Sequence, residues 1–225
     1  GVEVTLIDGT DIDQWRSAVR SDTKLCFFET ISNPTLEVID TVAVVEIAHS
    51  VGALVMIDNV FATPVYSRVI EQGADVVIYS ATKHIDGQGR TLGGVILGSK
   101  EFIRGTVEPY MKHTGGSMSP FTAWVMLKGL ETIDLRVRAQ IETAEKIADA
   151  LQGHERLNRM IYPGHASHPH YDLVLEQIGK GGTVIALDVK GGQDAAFAFL
   201  NALEIAVISN NLGDAKSIAT HPATT

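Results

Sequence analysis

The sequence predicts an α/β fold with a mostly parallel sheet, followed by part of a smaller α/β domain. Three observations predict it. Short apolar runs at 24–28, 53–58, 75–79 and 93–98 alternate with helix-like segments. These runs are apolar on both faces, as strands covered by helices on each side are. The polar residues able to do chemistry gather where the runs end.

Each element has a local reason. The opening segment 2–7 is strand-like, and Asp11 can cap a short helix reaching Arg20. Lys24-Leu25-Cys26-Phe27-Phe28 reads as a buried strand, followed by a turn-rich loop from 29 to 37 that carries Asn33-Pro34. Asp40 can cap a helix whose Val42, Val45 and Ala48 share a face, with Gly52 as its stop. A strand ending at Asp58 comes next, then a helix started by Pro64 and running to Gln72, then the strands 75–79 and 93–98.

Pro120 suits a first helical turn. From there about thirty residues can stay helical, since no proline interrupts them before Gly153. Val137, Ile141, Ala144, Ala148 and Leu151 form a stripe at helical spacing. Beyond it the pattern predicts strands near 157–162, 183–189 and 204–209 and helices near 169–179 and 193–203. The expected division is a first domain over 1–118, a long connecting helix over 119–153 and part of a second domain over 154–225. The chain reads as the middle of a longer enzyme, short at both ends.

Composition bounds the partners. The 225 residues are 45% hydrophobic with mean hydropathy +0.12, enough for a packed core. A net charge of −9 and a pI near 5.3 argue against nucleic acid or an anionic membrane as the main partner. No apolar stretch approaches the roughly 20 residues of a membrane span, and no signal peptide is visible. Cys26 is the only cysteine, so no intrachain disulfide can form, which fits a cytoplasmic location.

Asp58 closes one apolar run, and Ser80, Thr82 and Lys83 follow another. In a parallel sheet the ligand crevice lies at the carboxyl ends of the strands. An amine, a carboxylate and two hydroxyls placed there match pyridoxal 5'-phosphate. A lysine condenses with the aldehyde, a carboxylate keeps the ring nitrogen protonated, and hydroxyls bind the phosphate. Alone, an acid at a strand end is more often a turn or cap residue, and a lysine after a strand is more often a solvated side chain. On consecutive strand ends the combination favours the cofactor.

Other candidates carry less. His165, His168 and His170 could bind zinc, but no acid or cysteine is nearby in sequence and Pro169 restricts them, so a loop leading into a helix is favoured. Trp15 and Trp124 fit core or interface positions. The glycines of 87–94 lack the strand-to-helix setting of a dinucleotide loop. Cys26 sits in a buried run and makes a poor nucleophile.

Longer motifs carry a resemblance over essentially the whole chain. They are Tyr79-Ser80-Ala81-Thr82-Lys83-His84-Ile85-Asp86-Gly87-Gln88-Gly89-Arg90, Glu29-Thr30-Ile31-Ser32-Asn33-Pro34, Ile57-Asp58-Asn59-Val60-Phe61, Thr114-Gly115-Gly116-Ser117-Met118-Ser119-Pro120 and Leu127-Lys128-Gly129-Leu130-Glu131-Thr132. Leu212-Gly213-Asp214 and His221-Pro222-Ala223 add to them. The chain resembles the Cys/Met-metabolism pyridoxal-phosphate enzymes, which include cystathionine synthases and lyases, methionine γ-lyases and acyl-homoserine sulfhydrylases.

The resemblance implies an aspartate-aminotransferase-like fold (fold type I) and specific roles. Lys83 would carry the cofactor and act in catalysis, Asp58 would pair with the ring nitrogen, and Ser80 and Thr82 would bind phosphate. Asn33 would lie near the 3-hydroxyl. Asn211 would approach the substrate carboxylate at a position that is serine in many lyases. That departure, and Val60 where the lyase branch commonly has threonine, favour the sulfhydrylase branch. The implied reaction is γ-replacement: sulfide displaces succinate from O-succinylhomoserine and gives homocysteine, a step of methionine biosynthesis. The acetyl donor, another member's activity and an inert oligomerising piece are the competing expectations. A homotetramer with shared active sites is implied. Further family elements would lie outside the chain: a glycine–methionine phosphate loop, a stacking tyrosine and a Tyr/Arg pair from a neighbouring subunit before Gly1, and a carboxylate-gripping arginine after Thr225.

Overall fold

The computed structural model describes residues 1–224. Helix α1 (Ile12–Ala18) starts at Asp11, whose side chain accepts the amide hydrogens of Asp13 and Gln14, and it ends two residues before Arg20. Strand β1 (Leu25–Glu29) follows, then helix α2 (Thr41–His49), capped by the Asp40 carboxylate on the Ala43 amide. Strand β2 (Leu54–Asp58), a single turn α3 (Thr63–Tyr66) and strand β3 (Val76–Ser80) come next. Strand β4 (Gly94–Gly98) completes a four-stranded sheet in the order β1-β2-β3-β4. The first two pairings are parallel and the third is antiparallel, so the sheet is mostly parallel.

The core sits on one face of this sheet. Cys26, Phe28, Val55, Ile57 and Val77 pack there with Trp15 of α1 and Val44, Val45 and Ala48 of α2. Each such apolar side chain contributes about 1.5–3 kcal/mol by leaving water. The stripe of α2 is Thr41, Val44, Val45 and Ala48. Val42, expected inside, is 43% exposed, because the helix turns its 41/44/45/48 edge to β2. The opposite sheet face is open: Leu25, Phe27, Leu54 and Ile96 are all exposed. The expectation of strands buried on both faces is therefore corrected. Segment 2–7 forms no strand, and Val2, Val4 and Leu6 are exposed, because no neighbouring strand pairs with it among the described residues.

Two expected helices are shorter than their sequence patterns. The helix from Pro64 to Gln72 stops at Tyr66, because buried Asn59 draws the Ser67 carbonyl with its Nδ2 at 3.0 Å and Ser67 turns extended. The segment after β4, for which no element was expected, holds α4 (Lys100–Phe102), a π-helical turn over Ile103–Val107 and α5 (Glu108–Thr114). The expected thirty-residue helix is two helices, α6 (Pro120–Leu130) and α7 (Ile133–Leu151). The break falls where α6 meets the loop after Lys83. A Cβ at Gly129 would overlap the Ile85 carbonyl. Arg136 repairs the break, donating to the Gly129 carbonyl at 2.9 Å and to the Thr132 hydroxyl at 3.1 Å.

Beyond α7, strand β5 (Leu157–Ile161) pairs antiparallel with β6 (Ala186–Val189). Helix α8 (Tyr171–Gln177) precedes β6 and α9 (Gly192–Asn201) follows it. Ala144, Ala148, Met160 and Tyr162 form a second small core. Val174 and Ile178, in or next to α8, instead join the core of the first sheet. The expected strand 204–209 shrinks to β7 (Val207–Ile208), parallel to β8 (Ile218–Ala219), which the sequence reading missed. A short 3-10 turn, Pro222–Thr224, closes the described chain. No helix among the described residues is long and apolar enough to cross a membrane.

Candidate active site

Three strand ends converge at the carboxyl edge of the sheet. Glu29 closes β1, Asp58 closes β2 and Ser80 closes β3. Glu29 is the register partner of Asp58, and Asp58 is the register partner of Ile78, two residues before Ser80. Side chains alternate along a strand. Glu29, Asp58 and Ser80 therefore leave the sheet on the same, open face.

A buried polar hub holds these ends in place from the other face. Asn59 is wholly buried and accepts the Thr30 hydroxyl at 2.7 Å. Its Nδ2 donates to the Ser67 carbonyl at 3.0 Å and to the Tyr79 hydroxyl oxygen at 2.8 Å. One amide thus ties β1, the turn after α3 and β3 together directly beneath Asp58. Every polar atom of Asn59 named here has a partner, which is what makes such a buried group stabilising.

Lys83 follows β3 in a tight loop, its amide donating to the Ser80 carbonyl at 3.1 Å. Its Nζ donates to Asn211 Oδ1 at 3.1 Å. Thr82 Oγ1 accepts the Gly93 amide at 3.1 Å and lies 3.4 Å from the Gly93 carbonyl, so its own hydrogen is only loosely engaged. Asp58 Oδ1 accepts the Val60 amide at 3.0 Å. Burial holds the Asp58 carboxyl above the usual carboxylate range, and the Val60 hydrogen bond opposes this. Asn33 is exposed in its loop, joined to Pro34 by a cis peptide, and its backbone amide is held by Glu29 Oε2 at 2.7 Å.

Sequence reasoning missed two residues of this region. Glu29 ends a strand just as Asp58 does, and the strand-end rule applied to Asp58 also selects it. His84, next to Lys83, is buried, and its Nε2 lies 2.8 Å from the Thr183 hydroxyl. Burial, with the Arg136 and Lys83 cations nearby, pushes its pKa down to about 4. Gly213, with φ +79°, passes so close that a Cβ would come within 2.7 Å of the His84 nitrogen. Thr183, expected in a strand, is drawn out to meet His84, and β6 starts three residues later. No local signal in the sequence links positions 84, 183 and 213.

The histidine cluster stitches loops together. His168 Nε2 lies 3.0 Å from the Leu36 carbonyl, and His170 Nδ1 accepts the Val38 amide at 3.3 Å. No group of three metal-ligating side chains exists among the described residues. Cys26 is buried and its thiol is pushed up by burial. Trp15 is buried, and Trp124 is exposed beside Phe121.

The family model for Cys/Met metabolism PLP-dependent enzymes matches residues 1–225, and the chain belongs to that family. An O-succinylhomoserine sulfhydrylase of Mycobacterium tuberculosis is 50% identical over 100% of this chain and 56% of its own length. The O-succinylhomoserine sulfhydrylase of Pseudomonas aeruginosa is 44% identical with the same coverage of both chains. Among solved structures, cystathionine γ-synthase of Xanthomonas oryzae pv. oryzae superposes with a TM-score of 0.93 at 34% identity, over 96% of this chain and 56% of that one. The fold is that of the PLP-dependent fold type I enzymes. The chain spans about 56% of the length of these curated relatives.

The donor set fits the family's cofactor on its own chemistry. A primary amine suits the aldehyde and a half-buried carboxylate suits a cationic ring nitrogen. Hydroxyls at the strand end, one with a loosely held hydrogen, suit a phosphate.

Proposed function

We propose that this chain carries the lysine-bearing part of a pyridoxal-phosphate enzyme that exchanges the succinyl group of O-succinylhomoserine for sulfide, giving homocysteine and succinate. One observation carries the reading. The Lys83 amine, held by Asn211 at 3.1 Å, lies past the end of β3 while Asp58 ends the adjoining strand β2. The relatives named sulfhydrylases at 44% and 50% identity support the substrate choice. A methionine γ-lyase of Porphyromonas gingivalis, at 36%, is more distant.

The coenzyme, when bound, supplies an electron sink that makes a proton at the substrate Cα removable. The chain's residues do the rest. Lys83 would hold the aldehyde carbon, and its free amine would take up and return protons at the substrate Cα and Cβ. Asp58 keeps the ring nitrogen protonated through its carboxylate. Ser80 and Thr82 would donate to the phosphate, and Asn33 would serve the 3-hydroxyl. Asn211 serves the lysine amine with its Oδ1 and leaves its Nδ2 for the substrate carboxylate. The small-molecule substrates, a homotetrameric assembly, a cytoplasmic location and the division at 118/119 and 153/154 belong to the same proposal.

Borohydride reduction of the full-length protein in the presence of cofactor tests it. The expected result is a pyridoxyl label on Lys83 in the peptide map; an unlabelled Lys83 sinks the assignment. Parallel assays with succinyl and acetyl donors, and with sulfide and cysteine as acceptors, fix the reaction. Preference for the succinyl–sulfide pair is expected, and methionine cleavage without it would favour a lyase. Sedimentation of the same protein reads the assembly.

A further inference from the structure

Glu29 and Asp58 end adjacent parallel strands as direct register partners, so their side chains stand side by side on the open face. Both are half-buried. Glu29 Oε2 is fixed by the Asn33 amide at 2.7 Å, and Asp58 Oδ1 by the Val60 amide at 3.0 Å. Neither has an ion-pair partner among the described residues. Two neighbouring carboxylates in a partly dry setting do not both ionise freely. Burial raises both, and the charge of Asp58 raises Glu29 further. Tyr79, the titratable group on β3 that senses Asp58, is itself pushed up, chiefly by burial, and stays neutral. The Lys83 amine beyond β3 is engaged by Asn211.

We propose that Glu29 is a positioning residue that holds a proton beside Asp58, leaving Asp58 ionised to meet a cationic ring nitrogen, and that binding of the ring releases this proton. The step rests on the cofactor reading above and balances simply. Asp58 would receive a ring nitrogen that already carries its own proton. The O–H bond of Glu29 then breaks, and its proton passes to water. No electrons change hands. The Glu29 carboxylate so formed keeps its grip on the Asn33 amide, which ties the loop near the 3-hydroxyl to occupancy of the nitrogen site. The release operates between the ordinary glutamate range and the raised Glu29 value. Above that window Glu29 is already ionised, and binding releases nothing extra.

Carboxyl-carbon NMR of the full-length protein without cofactor is the first test. Wild type should show two coupled steps, with Glu29 losing its proton last. In Glu29→Gln, which keeps an oxygen for the Asn33 amide, Asp58 should titrate in one step. A Glu29 that titrates like a free glutamate overturns the proposal. Calorimetry with pyridoxal phosphate in pairs of buffers of different ionisation enthalpy, over a pH series that starts just above the ordinary glutamate range, is the second. Wild type should release up to about one proton more than E29Q, the excess vanishing as pH rises past the raised Glu29 step that the NMR titration locates. Equal counts overturn the release step.

Borohydride labelling of the same samples separates the two readings. Label on Lys83 with equal counts removes the role of Glu29 alone, whereas absence of label removes the cofactor reading and the release step with it. Should E29Q fail to fold, Asp58→Asn reads the coupling from the other side: the Glu29 step should fall toward its ordinary range, and an unmoved step counts against the pair.

Discussion

The Lys83 amine donates its hydrogen bond to the side-chain carbonyl of Asn211, at 3.1 Å. Asn211 is itself set by a hydrogen bond from its amide to Ser209 Oγ at 3.3 Å, and Gly213 two residues on packs against His84. The nucleophile of the proposed site is therefore aimed by a turn that the strands do not supply.

Asn211→Ala removes this acceptor. A hydrogen bond to a charged donor is worth about 1.5–3 kcal/mol, so kcat/KM should fall by roughly 10–100-fold. Asn211→Ser, which can still accept, should recover part of the loss. Steady-state kinetics of both variants decide it, and an unaltered kcat/KM in the alanine variant would remove Asn211 from the machinery.

Asp58→Ala should separate chemistry from folding. The carboxylate is half-buried, disfavoured by that burial, and held by one backbone hydrogen bond. Its loss should change unfolding free energy by no more than about 1 kcal/mol. Turnover should drop by about 100-fold or more, since roughly 3 kcal/mol of transition-state stabilisation is enough for that. Denaturant unfolding and kcat on one preparation compare the two.

His84 predicts an acid-side stability loss. Its folded pKa of about 4 lies below the unfolded value, so the unfolded chain binds the extra proton first. The stability it contributes is complete above about pH 6.5 and is lost as pH falls toward 4, by up to about 3 kcal/mol. Glu29 and Asp58, both raised, act oppositely: what they contribute is present below their unfolded values and is lost as pH rises through their folded ones. His84→Gln should flatten the His84 part of the curve while still reaching Thr183. Urea unfolding at several pH values compares the slopes, and equal slopes contradict the assignment.

Gly129→Ala sets propensity against space. Alanine favours a helix by about 1 kcal/mol over glycine. Here its Cβ would overlap the Ile85 carbonyl, a backbone atom that cannot swing aside. Overpacking of this kind costs about 1–3 kcal/mol or more, so the net effect should be destabilising. A raised melting temperature would show that the α6 contact is looser than the geometry states.

The strands were legible because each is a short apolar run bounded by turns, and so were the positions of Asp58 and Ser80 at strand ends and of Lys83 just beyond one; strand ends are where such folds place ligands. What escaped the sequence depends on partners remote along the chain. The close approach of α6 at Gly129 involves Ile85, the stop after Tyr66 involves Asn59, and the late start of β6 involves His84. Periodicity sees none of these, since it reports a residue's own turn and not the backbone pressed against it. Glu29 is a different case: as the last residue of β1 it meets the same strand-end rule as Asp58, but its pairing with Asp58 lies one strand away and is not visible along the chain.

The span between Lys83 and Asn211 has a consequence for biogenesis. The two are separated by 128 positions. At ribosomal elongation rates of about 5–20 residues per second, the lysine emerges roughly 6–25 s before the asparagine that receives its amine. The nascent sheet can assemble during that interval, but its amine stays untethered until translation has nearly passed the last residue described.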